Sequence, residues 1–254
     1  MSHTLREWLA EAPYTLAMSS GFFGFFAHTG MLEVLVEEGL YPKRVVGASA
    51  GAMVAGAYAH GIAPIELARE LSSVKRADFW DPRPGLGLLR GRRFREKLER
   101  MLGDARVEDT KLPTALVVHD VLAHRPVART FGSLACVIHA SCAVPGLFQP
   151  VWLDGRPYLD GGILDRPGLS AIGKGERTLH HHLASRSPWR NAAAVQVPRR
   201  DKLTALVLED LPRSGPFRLE AGYKAYKAAR RATRRALSLP IKNEVVRLSV
   251  LEGG

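Results

Sequence analysis

The residues best suited to chemistry begin with a serine set between very small neighbours. Gly47-Ala48-Ser49-Ala50-Gly51 matches the pattern G-x-S-x-G. The apolar pair Val45-Val46 precedes it and an unbroken helical stretch follows, so the pattern predicts a tight turn between a strand and a helix. Such a turn lifts the serine Oγ to a helix N-terminus and leaves room only for small residues such as Gly47 and Gly51. Ser49 is therefore a candidate nucleophile. The alternative is a small-residue turn that packs a helix against a sheet.

A second candidate could supply the base that a nucleophilic serine requires. Asp160 stands at the end of a predicted strand and is followed by Gly161 and Gly162, where the backbone can turn sharply. A carboxylate within hydrogen-bond reach of a serine can act directly as a general base. The alternative is an Asx turn that holds the end of a hairpin.

A Ser-Asp-His order is also present, because the run His180-His181-His182 follows Asp160 in the chain. In an α/β-hydrolase, however, several strands precede the serine elbow, and here only one strand precedes it. We therefore interpret the three histidines as solvated residues of a strand or loop and not as catalytic groups.

The third candidate is the loop Ser19-Ser20-Gly21-Phe22-Phe23-Gly24, which follows the first predicted strand. N–H groups in a glycine-rich loop that opens a helix converge on an anion, either a phosphate or an oxyanion. The Walker-A sequence is absent and a serine elbow follows one strand later, so the pattern favours an oxyanion. The candidate oxyanion-hole residues are Ser20, Gly21, Phe22 and Gly24.

The elements that must position these residues alternate between strands and helices. A strand at Tyr14–Met18, a helix at His28–Glu38, a strand at Val45-Val46 and a helix at Ala50–His60 predict an α/β domain with a parallel sheet. Further predicted helices are Arg92–Leu102, Ser133–Ala143 and Phe217–Leu239, and further strands are Thr114–His119, Pro126–Phe131, Leu203–Leu208 and a hairpin from Val151 to Asp160. No long linker is present, so we expect one domain over residues 1–254, with the motifs between about 14 and 169.

Five segments, taken in order, resemble the patatin-like phospholipase family. They are the loop at residues 19–24, Glu37-Glu38-Gly39, the elbow through Ala52, the stretch from Ala140 to Val151, and Asp160-Gly161-Gly162. The resemblance implies a three-layer α/β/α sandwich with a mostly parallel central sheet. It also implies a Ser49–Asp160 dyad without histidine, an oxyanion hole near Gly21, and calcium-independent hydrolysis of lipid acyl esters, with no metal and no cofactor.

Two departures from the family pattern bear on activity. Ser19 and Ser20 stand where the family loop usually has glycines, and the loop is most similar to the adiponutrin-type branch. Asp165-Arg166-Pro167 replaces the common Asn-x-Pro. If Ser19 and Ser20 needed positive φ, each would cost about 1 kcal/mol. The alternative function is therefore a catalytically weak or inactive lipid-binding member.

Composition and charge bound the setting of this chemistry. The chain is 46% hydrophobic and 24% charged, which excludes a mainly disordered protein, and no uncharged run is long enough to span a bilayer. Glu7 and Glu11 argue against a secretory signal, and the two cysteines fit a reducing compartment. We therefore expect a cytoplasmic protein, with a peripheral position at a membrane as the open alternative.

The net charge of +11 is concentrated near the C-terminus, where residues 186–254 carry 15 Lys and Arg against 6 Asp and Glu. The predicted basic helix at Phe217–Leu239 could contact an anionic membrane through Arg230, Arg231, Arg234 and Arg235. A solvated outer face is the alternative. We do not expect nucleic-acid binding, because no recognised motif accompanies the charge. The oligomeric state stays open.

We expect an apolar entry for acyl chains, lined by Phe22, Phe23, Phe25 and Phe26 and by the Leu86–Leu89 loop.

Overall fold

The computed structural model describes residues 3–184, 196–215 and 217–251. Within these ranges the helices are α1 Leu5–Glu11, α2 Phe25–Glu37, α3 Ala50–His60, α4 Pro64–Ser73, α5 Arg92–Leu102, α6 Leu134–Ser141 and α7 Glu220–Leu237. The strands are β1 Thr15–Met18, β2 Arg44–Ala48, β3 Gly87–Leu89, β4 Thr114–Asp120, β5 Arg125–Arg129, β6 Gly146–Phe148, β7 Val151–Leu153, β8 Arg156–Asp160, β9 Thr178–Leu183, β10 Leu203–Glu209 and β11 Val245–Ser249. Residues 186–195 of the basic C-terminal region lie outside the described residues.

The central sheet is mostly parallel. Its order is β11-β10-β9-β1-β2-β4-β8-β7, with β5 also paired to β4. The pairs from β11 through to β4 are parallel, whereas β5, β7 and β8 join by antiparallel pairing. β3 and β6 form a separate two-stranded sheet.

The edges of β4 bring two distant segments together. β5 pairs with Leu116–Asp120 along one edge of β4. On the opposite edge β2 ends with Ala48 opposite Val117, and β8 ends with Asp160 opposite Val118. The C-terminal ends of β2 and β8 therefore meet at consecutive positions of one strand.

Side chains alternate between the two faces of the sheet, as expected for buried strands. Leu16 and Met18 of β1 join the main core with the helices. Ala17 faces the other way. Together with Val46 and Ala115 of the adjacent strands, it packs against Ile172, which follows the 3₁₀ turn Leu169–Ala171. The result is a three-layer α/β/α arrangement whose second outer layer is thin in the described part of the chain.

Helices α2 and α7 pack closely on the main face. A Cβ at Gly30 of α2 would lie 2.4 Å from the carbonyl oxygen of Tyr226, so only glycine allows this approach. Ion pairs reinforce the contact, because Arg230 of α7 pairs with Glu33 and Glu37 of α2. Arg234 also pairs with Glu37, at 2.6 Å.

These pairs engage two of the four arginines through which α7 was predicted to contact an anionic membrane, and that contact stays a prediction. Arg230 and Arg234 hold α7 to α2, whereas Arg231 and the two lysines of α7 point to solvent. The free basic surface of α7 is therefore smaller than the sequence suggests.

Most predicted elements are present with small changes at their ends. α3 and α5 have the predicted bounds, whereas α2 begins at Phe25 and α7 at Glu220. α1, α4, β3, β6 and β11 are not in the sequence prediction. α4 had a recognisable signal, because Pro64 occupies its first turn and Glu66 receives the N–H of Ala63.

No helix in the described ranges is both long enough and apolar enough to cross a bilayer. The extent of the domain over residues 1–254 stays a prediction.

Candidate active site

Ser49 lies on a strained turn between β2 and α3. Its backbone has φ 53° and ψ −118°, a region that a residue with a side chain rarely adopts. A Cβ at Gly47 would lie 2.2 Å from the carbonyl carbon of Gly51, and one at Gly51 would lie 2.1 Å from the carbonyl oxygen of Met18. The backbones of β1, β2 and α3 therefore meet too closely for any side chain at these two glycines.

Ser141 and Cys142, at the end of α6, hold the backbone of Ser49 from both sides. The N–H of Ser49 donates to Ser141 Oγ at 2.9 Å, and Ser141 Oγ donates to the Val117 carbonyl at 2.6 Å. Cys142 Sγ donates to the Ser49 carbonyl at 3.2 Å. Burial, with the nearby Asp160, raises the pKa of the Cys142 thiol well above its usual value, which keeps the proton needed for this bond. The sequence reasoning included both residues in a family motif but gave neither a role.

The structure brings Asp160 to Ser49 across 111 positions of sequence. Ser49 Oγ donates to Asp160 Oδ2 at 2.6 Å, and both side chains are buried. Asp160 Oδ1 accepts the N–H of Gly162 at 2.7 Å, and the N–H of Asp160 donates to the Ala143 carbonyl at 2.9 Å. The carboxylate is thus fixed by its own turn, which leaves the other oxygen for the serine.

Close approaches also explain the two glycines after Asp160. A Cβ at Gly161 would lie 2.1 Å from the Val117 carbonyl oxygen, and one at Gly162 would lie 2.1 Å from Ser20 Oγ. The turn that carries the carboxylate therefore touches both β4 and the loop after β1.

That loop is closed by hydrogen bonds at its two serines. Ser19 Oγ accepts the N–H of Leu183 at 3.0 Å, and the N–H of Ser20 donates to the Arg166 carbonyl at 2.8 Å. Neither serine has positive φ; the loop's non-glycine residue with positive φ is Phe23, at 55°. Ser19 and Ser20 therefore lack the backbone strain that positive φ would have caused.

Gly21 and Gly24 pack closely against Leu183, and neither has positive φ. A Cβ at Gly21 would lie 2.6 Å from Leu183 Cδ1, and one at Gly24 would lie 2.2 Å from the same atom. In the described part of the chain the N–H groups of Gly21 and Phe22 have no hydrogen-bond acceptor. Both residues line the same cavity as Ser49, which leaves their N–H groups available to an anion there.

The segment that departs from the common Asn-x-Pro pattern supports the loop. Asp165 accepts the N–H groups of Leu169 and Ser170 at 2.9 and 2.7 Å, which caps a 3₁₀ turn. Arg166 donates from Nη2 to the Leu183 carbonyl at 2.8 Å while its own carbonyl holds Ser20. Arg166 therefore ties the loop to the end of β9.

The prediction that His180, His181 and His182 are solvated is wrong. All three lie buried in β9, between β1 and β10, because the strand is in the middle of the sheet. His180 Nε2 lies 3.2 Å from the Pro167 carbonyl, and burial lowers the pKa of His180 to about 3. The hydroxyl of Ser49 donates to Asp160 instead of to any of these rings.

His181 belongs to a buried pair that reaches the loop. His28 Nε2 lies 2.8 Å from the Ser19 carbonyl, and since a carbonyl only accepts, Nε2 carries the proton. His28 Nδ1 lies 2.8 Å from His181 Nδ1, so the latter nitrogen donates. Burial lowers the pKa of His28 to about 4 and that of His181 well below its usual value, which keeps both rings neutral.

An apolar cavity of about 110 Å³ opens beside Ser49. Phe22, Phe23 and Phe25 contribute to its wall as predicted, together with Leu89. Phe26 does not, because its ring packs against Gly222 of α7 in the core. Leu86 and Leu88 line a separate open surface hollow. The remaining wall is mostly apolar and includes Met53, Leu71, Val74, Phe79, Trp80, Phe94, Leu98, Met101, Val144, Leu147 and Phe148.

Comparison with known proteins identifies a family and several relatives whose sequences match this chain. The patatin-like phospholipase family model matches residues 16–171. An NTE family protein from Mycobacterium tuberculosis is 33% identical over 160 residues, covering 62% of this chain and 44% of the relative. A lysophospholipase from Neurospora crassa is 27% identical over 177 residues, covering 67% of this chain and 12% of the relative. The matched region is thus less than half of either relative's length.

Among solved structures, VipD from Legionella pneumophila has the same fold. It aligns with a TM-score of 0.63 and 16% sequence identity, over 89% of this chain and 66% of that chain. The family match covers more than half of the chain and includes the Ser49 elbow and Asp160. The chain therefore belongs to the patatin-like phospholipase family.

Proposed function

We propose that this protein hydrolyses acyl esters of lipids with Ser49 as the nucleophile and Asp160 as the base. The observation that carries the proposal is the 2.6 Å hydrogen bond between Ser49 Oγ and Asp160 Oδ2, buried beside an apolar cavity. A serine placed so close to an immobilised carboxylate can lose its proton as it attacks a carbonyl carbon.

The reaction would proceed in two halves. Ser49 Oγ attacks the ester carbonyl while its proton passes to Asp160, and the N–H groups of Gly21 and Phe22 hold the oxyanion. Collapse of the tetrahedral intermediate releases the alcohol, which takes the proton from Asp160, and leaves an acyl group on Ser49. Water then attacks this acyl-enzyme with Asp160 as base, and the fatty acid leaves.

Two observations support a lipid ester over a polar ester as the substrate. The cavity wall is formed mostly by aromatic and aliphatic side chains, which suit an acyl chain. The Neurospora crassa relative is named a lysophospholipase, and the family is named for phospholipases.

The alternative, a weak or inactive lipid-binding member, depended on strain at the altered loop. Ser19 and Ser20 have no positive φ, and their hydrogen bonds to Leu183 and Arg166 close the loop. This geometry favours the active enzyme.

Covalent labelling with a fluorophosphonate ester tests the proposal. We expect stoichiometric modification at Ser49, none in Ser49→Ala, and a rate at least about 100-fold lower in Asp160→Asn, which keeps the shape but removes the proton acceptor. His180→Gln serves as the control and should label at a rate close to that of wild type. A folded wild type that stays unlabelled at high probe concentration would establish the lipid-binding alternative. Loss of labelling in the folded His180→Gln protein would restore the Ser-Asp-His triad.

Contact with an anionic membrane through α7 also stays a proposal. It now depends on the exposed Lys224, Lys227 and Arg231, because two of the predicted arginines pair with α2.

A further inference from the structure

A cluster of aromatic and basic side chains stands at the mouth of the cavity. Phe217, just before α7, is 70% exposed, and its ring centroid lies 6.0 Å from that of Trp80. The guanidinium of Arg76 lies over both rings, 5.6 Å from the Trp80 centroid and 5.8 Å from the Phe217 centroid. We name Phe22, Arg76, Trp80 and Phe217 the rim cluster.

The rim cluster is continuous with the cavity. Phe22 and Trp80 both line the cavity, and Phe22 is 57% exposed. The segment that carries Phe217 packs on the loop of Phe22, because Ser214 Oγ donates to the Phe23 carbonyl at 3.1 Å. A Cβ at Gly215 would contact the Phe22 ring at 3.9 Å. The exposed rings of Phe22 and Phe217 therefore lie beside the cavity that Ser49 lines.

Large apolar side chains gathered at one exposed site indicate a surface that is covered in use. An arginine stacked over the rings adds a cation to the same site, and exposed Lys75, Arg213 and Arg218 adjoin it in sequence. A partner that is apolar inside and anionic outside meets both requirements. The surface of a phospholipid bilayer or micelle has this composition.

We propose that the rim cluster docks the protein on an anionic lipid surface, with Phe22 and Phe217 inserted among the acyl chains and Arg76 at a phosphate. The proposal rests on the proposed function, since docking at the mouth lets an acyl chain pass from the lipid into the cavity without crossing water. It places the main docking surface at the mouth and not on the arginines of α7, half of which pair with α2.

Vesicle binding measured in the Ser49→Ala background tests docking without turnover. Sedimentation with sucrose-loaded vesicles would compare pure phosphatidylcholine with a mixture containing about 30% phosphatidylglycerol, which represents a strongly anionic membrane. We expect Phe217→Ser to weaken binding about tenfold on both vesicles, because it removes an inserted ring. Arg76→Gln should weaken binding about fivefold on the anionic vesicles and little on the neutral ones.

Matched controls come from other faces of the protein. Trp152 on β7 is 68% exposed but lies outside the cavity, so Trp152→Ser should bind within twofold of the parent. Arg231→Gln tests the exposed face of α7 and should have the same small effect. Equal losses in Phe217→Ser and Trp152→Ser, or a larger loss in Arg231→Gln than in Arg76→Gln, would overturn the proposal.

A second measurement detects insertion through tryptophan fluorescence. Lipids brominated on their acyl chains quench only tryptophans that reach the bilayer, so they should quench the fluorescence of the parent protein. Trp80→Phe should lose more of that quenching than Trp152→Phe. An equal or larger loss in Trp152→Phe would refute insertion at the mouth. A change of molecular mass in Phe217→Ser without a change in vesicle binding would assign the cluster to self-association instead.

The two proposals fail separately. Rim variants that lose vesicle binding while wild-type Ser49 resists the fluorophosphonate would leave docking intact and remove the enzyme. Labelled Ser49 with unaffected vesicle binding would leave the enzyme intact and remove docking.

Discussion

Acidification from pH 7.0 to pH 5.5 should destabilise this protein strongly, because at least four of its buried histidines are neutral in the folded state. Burial lowers the pKa of His28 and His139 to about 4 and that of His180 to about 3, and it lowers the pKa of His181 well below its usual value. In the unfolded chain the same side chains have a pKa of about 6.5. Between the folded and the unfolded pKa values, the unfolded state binds protons that the folded state does not bind, so the free energy of unfolding falls as the pH falls.

The size of the effect follows from proton linkage. At pH 5.5 an unfolded histidine is about nine-tenths protonated, whereas one with a folded pKa of about 4 stays almost wholly neutral. Relative to pH 7.0, each such histidine therefore removes about 1.2 kcal/mol, and the four together remove about 5 kcal/mol. Most carboxylates titrate below this window and contribute little. A loss of this size is comparable with the whole stability of a typical domain.

Urea unfolding at the two pH values measures the loss directly. His180→Gln should reduce the difference between the two free energies of unfolding by about 1.2 kcal/mol, because it removes one of the four linked protons. His3→Gln, at an exposed position, should leave the difference unchanged. A wild-type difference below about 1 kcal/mol would show that these rings accept protons in the folded protein, and would refute the burial argument.

Two further substitutions test the packing around Ser49. Ser141→Ala leaves the N–H of Ser49 without its acceptor and should cost about 1–3 kcal/mol in urea unfolding, with slower fluorophosphonate labelling; unchanged stability and labelling would show that this bond holds nothing. Gly51→Ala places a Cβ 2.1 Å from the Met18 carbonyl and should cost more than about 3 kcal/mol or prevent folding. Gly39→Ala is its control and should cost only about 1 kcal/mol, because the backbone at Gly39 has positive φ but a Cβ there would meet nothing within 4 Å. Equal losses of stability at the two glycines would contradict the steric explanation.

Local physics made the elbow and its flanking elements predictable from the sequence. A turn from a strand directly into a helix needs small residues at Gly47 and Gly51, so five consecutive residues were enough to predict Ser49 as a candidate nucleophile. The C-terminal ends of α3 and α5 were predicted correctly, and each helix is followed by a glycine with positive φ, Gly61 or Gly103. Asp160 was predicted as the base from its two glycines and from a family resemblance.

What the tertiary structure decided is which distant segments meet. Ser49 and Asp160 come together because β2 and β8 share one edge of β4, a pairing that no local pattern encodes. The run His180–His182 is polar in sequence but becomes part of the core because β9 lies inside the sheet, paired with β1 on one edge and β10 on the other. Arg230 reads as a solvated cation until α7 packs on Glu33 and Glu37. Burial and ion pairing depend on neighbours far away in the chain, whereas the strain of a tight turn depends on neighbours a few residues away, and that difference in range separates what the sequence determined from what the fold decided.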